Sequence, residues 1–434
     1  MHKNILLVID RDQFKSFDFK LSSKVAKDQL AGNSGNSIFQ YSIQKILVAE
    51  RYNKITIDTK LLHKSPLPSS YFDIINNEFD CAVILPANIL AEFSIKENFA
   101  LHNNRLKKLK IPIYAIGLGC QSNVEYSFNF LNYIMKDAKI YIKNILKNNG
   151  FIGLRGEFSA ECISRLGFKE DSDYNIIGCP SLFMHGDTLN IKKKNYSEDD
   201  FIPALNGFRI WNLPEYHKYF VKYPLSIFVD QDEFYNLLYC IDDLSWKEFK
   251  YLCDNEKNWI RLYKENRIKL FCDYISWSTY LKKRKVNFSC GCRVHGNIVS
   301  ILNGIPAYID SFDSRTRELC EWFNIPHHNF NSEVIDPYCV YIKSDYTVFN
   351  SSFKNKFYIF DTFMKKCNIL TNYENIMNEY CDEYYIEEKY NIKKLEYISN
   401  ICRKNKILVK MLLKIIKLYY LSRMSSVYIE IMEV

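Results

Sequence analysis

Long apolar runs, clustered cysteines and internal repeats are all missing from these 434 residues. No uninterrupted apolar stretch approaches the ~20 residues that a membrane-spanning helix needs. The 14 cysteines are scattered and form no Cys-x-x-Cys, so the usual zinc-site spacing is absent. Cys290 and Cys292 flank one glycine but have no other ligand type near them in sequence, and scattered thiols suit a reducing cytosol. Only 14 Gly and 11 Pro occur, which excludes a collagen-like or low-complexity chain. No period of solenoid length recurs. What is present is ordinary for a folded protein, 47% hydrophobic and 25% charged residues, and the length predicts two domains with an appendage. The apolar segment Ile5–Ile9 is too short for a secretory signal and is closed by Asp10-Arg11-Asp12, so it reads as a first buried strand.

The charge is uneven. Residues 401–434 hold seven Lys/Arg against Glu430 and Glu433, a net +5 of the chain's +8. The body is near neutral, which argues against a nucleic-acid-binding surface. In the tail Lys406, Lys410, Lys414 and Lys417 share a helical stripe beside Leu408, Leu412 and Ile415. Such a helix suits the surface of an anionic bilayer, or it can pack its apolar face on the body with the lysines outside.

Short apolar runs alternate with longer amphipathic stretches, the pattern of parallel sheets wrapped by helices. The spacing predicts strands at Ile5–Ile9, Lys54–Ile57, Cys81–Leu85, Ile113–Ile116, Phe151–Leu154 and Asn175–Ile177. A second series follows at Ile202–Leu205, Ser226–Val229, Val286–Ser289, Ala307–Ile309 and Tyr338–Ile342. Helices are expected at Phe39–Arg51, Asn129–Asn148, Phe158–Leu166, Gln231–Cys240 and His295–Asn303. The polar stretch Lys192–Asp200 reads as a linker. This gives an α/β protein with Rossmann-like domains over residues 1–191 and 201–345, facing a cleft, and a helical extension over 346–434. Ligands of such sheets sit beyond the carboxyl ends of the strands, so the turns there are where chemistry is sought.

The most informative such turn runs from Ser289 to Ile298. Arg293, His295, Gly296 and Asn297 converge where a strand ends and a helix begins, placing a cation, an imidazole and free N–H groups around one point. A helix-capping turn with a surface arginine is the plainer alternative. Arg155 follows the Phe151–Leu154 strand and would project into the cleft, unless it pairs with Glu157 or Glu161. The small-residue turn Gly32–Ser37 precedes a helix and suits close approach by a sugar or phosphate, with Ser37 as a candidate cap, or it is a flexible loop. Asp310, Asp313, Arg315 and Arg317 follow another strand, and Asp313 and Arg317 are spaced to pair on a helix. Asp230 could serve as a base, while Asp232 and Glu233 read as helix caps. His185, His327 and His328 lack sequence partners and read as structural.

Arg293-Val294-His295-Gly296-Asn297, then Asn303-Gly304-Ile305-Pro306 and Asp313-Ser314-Arg315-Thr316, resemble the polysaccharide pyruvyl transferase family. Gly117-Leu118-Gly119-Cys120-Gln121, Gly153-Leu154-Arg155, Gly178-Cys179-Pro180 and Val229-Asp230-Gln231 are similar to further pieces of it, in order, over roughly residues 30–330. The resemblance implies a glycosyltransferase-B-like fold, phosphoenolpyruvate as donor, a sugar of a bacterial surface polysaccharide (capsule or lipopolysaccharide) or its lipid-linked precursor as acceptor, and no cofactor or metal. It implies catalytic roles for His295, Arg293 and Arg155, and a donor site of Arg155, Arg293, Val294, His295, Gly296 and Asn297. Asn33, Asn36, Gln121, Asp313 and Arg315 are the acceptor candidates. One departure stands out. Where family members often carry glycines after the third strand, this chain has Leu85-Pro86-Ala87-Asn88, whose backbone is less open to a ligand.

On this reading the enzyme is cytoplasmic, with its tail on the inner face of the membrane or against the body. A nucleotide-sugar glycosyltransferase would use a similar cleft. A non-catalytic scaffold in glycan assembly is the third reading.

Overall fold

The computed structural model describes residues 4–15, 32–47, 54–91, 96–207, 215–231, 262, 265, 267–330 and 335–371. The basic tail, Asp232, Glu233 and all but the first residue of the helix expected over Gln231–Cys240 lie outside these.

Among the described residues the strands are, in chain order, β1 (Asn4–Val8), β2 (Lys54–Asp58), β3 (Cys81–Ile84), β4 (Leu90–Ala91), β5 (Ile113–Leu118), β6 (Cys120–Gln121), β7 (Phe151–Leu154), β8 (Tyr174–Ile176), β9 (Pro203–Asn206), β10 (Ile227–Asp230), β11 (Ile268–Leu270), β12 (Phe288–Gly291), β13 (Ala307–Ser311) and β14 (His327–Asn329). They form two six-stranded sheets ordered β2-β1-β3-β5-β7-β8 and β11-β10-β9-β12-β13-β14, plus the pair β4-β6. All the paired strands run parallel. Counted within itself, the second sheet runs 3-2-1-4-5-6, the doubly wound order whose switch point falls between β9 and β12.

The apolar runs are continuous because each sheet is covered on both faces. In β1, Ile5 and Leu7 enter the core that both halves share, while Leu6 and Val8 enter a second core under the outer helices of the first sheet. That is the two-residue alternation of a strand with apolar neighbours on either side.

Two expectations change. Tyr338–Ile342 is a helix, Pro337–Lys343, and not a strand. Asp336 starts it by accepting the Tyr338 and Cys339 N–H groups, and Pro337 occupies its first position, where a missing N–H costs nothing. The helix expected from Phe39 begins at Ser34, so Gly35 and Ser37 lie inside its first turn and Ser37 is not its cap. Strands β11 and β14, of three residues each, were too short to register as periodic patterns.

The 20-residue helix Thr347–Lys366 returns to the first half. Phe349, Phe353, Phe357, Phe360 and Phe363 recur at helical spacing and are buried. Phe360 stacks on Phe183 at 5.0 Å and Phe363 on Phe151 at 5.6 Å. Each such ring contributes about 1.5–3 kcal/mol by leaving water, and together they tie the chain's later part to the first sheet. No described helix is long and apolar enough to cross a membrane.

Candidate functional site

The centre of the site is the end of β12. Gly291 has φ +133°, and a side chain there would overlap the Asn206 carbonyl oxygen at the end of β9. Only glycine lets these two strand ends, one on each side of the switch point, close together. Asn206 then organises the turn. Its Oδ1 accepts the Arg293 N–H at 2.8 Å and its Nδ2 donates to Asn297 Oδ1 at 3.0 Å. Asn297 also accepts from Ser289 Oγ at 2.8 Å and donates to the carbonyls of Gly291 and Arg293 at 2.9 and 3.2 Å. Asn297 is fully buried and its polar atoms are engaged within the turn, so in this structure it positions Arg293 and faces no open space. Asn206 was not singled out in the sequence, since a lone Asn at a strand end carries no periodic or motif signal.

Arg293 is the N-cap residue of the helix Val294–Leu302, with extended backbone and no side-chain cap. That helix meets the first turn of Ser34–Leu47. A Cβ added at Gly35 would collide with Gln231 Oε1 and lie 3.0 Å from His295 Cβ. A Cβ added at Gly296 would lie 2.7 Å from Gln231 Nε2. The two glycines therefore let two helix starts and the Gln231 amide approach one another. Neither first turn carries an acidic side chain, so nothing local neutralises the positive ends of the two helix dipoles.

Arg155 comes in from the first sheet. Its N–H donates to the Leu118 carbonyl at 3.0 Å, which continues β7 beside β5 and turns the side chain toward Phe39. The guanidinium carbon lies 4.9 Å from the centroid of the Phe39 ring, and Gly119 gives it room, since a Cβ there would sit 3.1 Å from Arg155 Cδ. The same Phe39 ring is 6.4 Å from the imidazole of His295. Arg155 is only 2% exposed, yet its side chain makes no hydrogen bond or ion pair among the described residues. Neither Glu157 nor Glu161 pairs with it; Glu161 instead holds Arg165 at 2.8 Å. Burial lowers the Arg155 pKa, and so does the nearby Arg315, against attraction from Glu318 and Asp313.

His295 is 4% exposed and its Nε2 has no hydrogen-bond partner among the described residues. Burial holds its pKa well below the usual histidine range, and repulsion from Arg155 and Arg315 pushes the same way. The ring is neutral in this state.

The acceptor candidates fall in two places. Asn33 and Asn36 flank the start of the first helix, where Asn33 Oδ1 accepts the Asn36 N–H at 3.1 Å. Gln121, Asp313 and Arg315 lie together on a seam between the halves. Gln121 Nε2 donates to Asp313 Oδ2 at 2.8 Å and Arg315 reaches the same oxygen at 3.3 Å. Asn88, from the turn after β3, donates to Gln121 Oε1. Asp313 also caps its own helix through Thr316. Its partner is Arg315, whereas Arg317 pairs with Glu321 at 2.8 Å. The expected Asp313–Arg317 pairing gives way because the capping geometry turns Asp313 toward Gln121.

Glu318, one turn further along that helix, carries no role in the sequence reading, yet it is a buried carboxylate at this seam. Burial lifts its pKa to about 7. His185 is held by Tyr274 and Lys45, and His327 by the Ile325 carbonyl. His328 lies 3.5 Å from Asp310.

The switch point of a doubly wound parallel sheet is thus lined by an arginine-bearing loop, a buried imidazole and two helix starts. The family model described as polysaccharide pyruvyl transferase matches residues 33–309, more than half of the chain. The chain belongs to the polysaccharide pyruvyl transferase family, whose name denotes an enzyme that moves pyruvyl groups onto polysaccharide. The match includes Asn33, Gln121, Arg155 and Arg293–Asn297 and ends at Ile309, so Asp313, Arg315 and Glu318 lie beyond it. No curated protein matches the chain.

Proposed function

We propose that this protein transfers pyruvate from phosphoenolpyruvate to one sugar of a bacterial surface polysaccharide or its lipid-linked precursor, as a cyclic ketal. The observation that carries the reading is Arg155. A guanidinium removed from water without an acceptor costs several kcal/mol, and such a group persists where an anion binds against it. Family membership supplies the reaction class. We read the two sheets as Rossmann-like domains of a glycosyltransferase-B-like arrangement, with the site between them.

In this mechanism a proton is added to the methylene carbon of phosphoenolpyruvate while a sugar hydroxyl bonds to the adjacent carbon and gives up its own proton. Phosphate then leaves with the electrons of its C–O bond, and a second hydroxyl of the same sugar closes the ring and releases its proton. His295 delivers the first proton, Arg155 and Arg293 balance the charge of the donor, and the Val294 and Gly296 backbone lies along it. Asn297 positions Arg293. Oriented cations in a site of low polarity each contribute about 3 kcal/mol to such a step. Gln121, Asp313, Arg315, Asn33 and Asn36 face the acceptor. The enzyme works in the cytoplasm at the inner membrane face, where the basic tail adds affinity for anionic lipid.

The test is binding followed by product analysis. Calorimetry should show phosphoenolpyruvate binding and no nucleotide-sugar binding. Mass spectrometry of the surface polysaccharide should show loss of one pyruvate ketal per repeat when the protein is removed. Binding of a nucleotide sugar alone would replace this reading with a glycosyltransferase.

A further inference from the structure

The first turn of Ser34–Leu47 carries two hydroxyls, Ser34 Oγ and Ser37 Oγ, three residues apart and so on one face of the helix. Both residues are 1% exposed, and neither hydroxyl has a hydrogen-bond partner among the described residues. Gln231, 3% exposed, lies against this turn: its carbonyl accepts the Ser34 N–H at 3.1 Å, and its side-chain amide is wedged between Gly35 and Gly296. The amide nitrogen Nε2 is also without a partner. Buried polar atoms in proteins are nearly always satisfied. Three neutral donors left over at a helix start with no acidic residue in its first turn are what a phosphoryl group would satisfy, since it offers three terminal oxygens and negative charge to the dipole.

Arg155 approaches from the opposite sheet and differs in kind. Its planar fork matches the two coplanar oxygens of a carboxylate, and it rests on the face of Phe39, a residue of the same helix as Ser34 and Ser37. We infer that the site has a fixed polarity: the phosphoryl group is held by Ser34, Ser37 and Gln231 at the start of the Ser34–Leu47 helix, and the carboxylate by Arg155. This rests on the reading of the donor as phosphoenolpyruvate, and it places the departing phosphate on the second sheet's side of Phe39, beside His295.

Because the two serine hydroxyls have no partner inside the protein, removing them leaves no orphaned group behind. The variant Ser34→Ala/Ser37→Ala should therefore melt at or above the wild-type temperature. Calorimetric titration with inorganic phosphate and with pyruvate, used as the two fragments of the donor, separates the ends. The double variant should bind phosphate at least tenfold more weakly and pyruvate within twofold of wild type. Arg155→Lys should show the reverse. Unchanged phosphate affinity in the serine variant, or a loss confined to pyruvate, would overturn the assignment, as would a wild-type protein that binds pyruvate but no phosphate. Phosphate binding that depends on both serines in a protein that ignores phosphoenolpyruvate would support the subsite while removing the donor reading.

Discussion

Glu318 caps a helix that belongs to the other half of the chain. Its Oε2 accepts the N–H of Ser159 at 2.9 Å and its Oε1 accepts from Ser159 Oγ at 2.7 Å. The helix it serves, Glu157–Arg165, begins at Gly156, which has no side chain to cap it. Ser159 Oγ in turn accepts the Cys120 N–H at 2.8 Å. The residue before Gly156 is Arg155, so this carboxylate fixes the frame from which that side chain projects. Glu318→Ala leaves a buried N–H and hydroxyl unsatisfied and should lower stability by about 2–3 kcal/mol. Glu318→Gln, which keeps one acceptor, should lose less. Chemical denaturation of both variants checks the order; equal stability of Glu318→Ala and wild type would show that the bonds are replaceable.

Phe39 lies between two candidate groups of the site: the Arg155 guanidinium sits over its ring, and the His295 ring is tilted 33° to it at 6.4 Å. Replacing the ring by leucine keeps a buried apolar side chain but removes the cation–π attraction, which is worth about 2 kcal/mol when desolvated. Phe39→Leu is expected to weaken phosphoenolpyruvate binding roughly thirtyfold. Titration calorimetry gives the value directly, and unchanged affinity would exclude Phe39 as the support of Arg155.

Under the proposed function, the depressed pKa of His295 makes donor binding a proton-linked event. The free protein holds the ring neutral, and an anion brought beside it favours the charged form and moves its pKa back up. Wild-type protein should take up a fraction of a proton on binding phosphoenolpyruvate near neutral pH, seen as a dependence of the binding enthalpy on the buffer's ionisation enthalpy. His295→Asn should abolish that uptake, retain binding, and reduce turnover by more than about 100-fold. Persistent uptake in the variant would assign the proton to another group.

Asp310 gives the opposite pH signature. Burial raises its carboxyl from 3.8 to about 7. His328, 3.5 Å away, is itself held below its usual pKa by burial and by His327, and supplies no counter-charge. Between these two values the folded chain retains a proton that the unfolded chain has released, so stability falls as pH rises through that window. Asp310→Asn removes the slope. It should exceed wild type by on the order of 4 kcal/mol at pH 8 and match it near pH 4, measured by denaturation at the two pH values.

Ala87 occupies the turn after β3 with φ +47°, a left-handed conformation that costs a non-glycine residue about 1 kcal/mol. Its carbonyl accepts the Gly119 N–H at 2.7 Å, which fixes the turn in that shape beside Arg155. Ala87→Gly should stabilise the protein by up to about 1 kcal/mol, reduced by the greater freedom of the unfolded chain. A rise in melting temperature with unaltered donor binding is the expected result.

By itself the sequence determined the two parallel sheets and the placing of Arg293 and His295 in one strand-to-helix turn. Buried parallel strands write themselves as continuous apolar runs, and a strand-to-helix turn of Arg, His, Gly and Asn is a local pattern. Only the tertiary structure decided which groups meet. Glu318 and Ser159 are 159 residues apart, and Asn206 and Asn297 are 91, distances over which no periodicity carries information. The phenylalanines of Thr347–Lys366 do follow a helical spacing, but only the fold shows that their target is Phe151 and Phe183 in the first half. Pairing across the sheets also set the protonation states. The amino-acid type gives His295 and Asp310 their ordinary pKa values, and burial, which depends on every neighbour at once, moves one down and the other up.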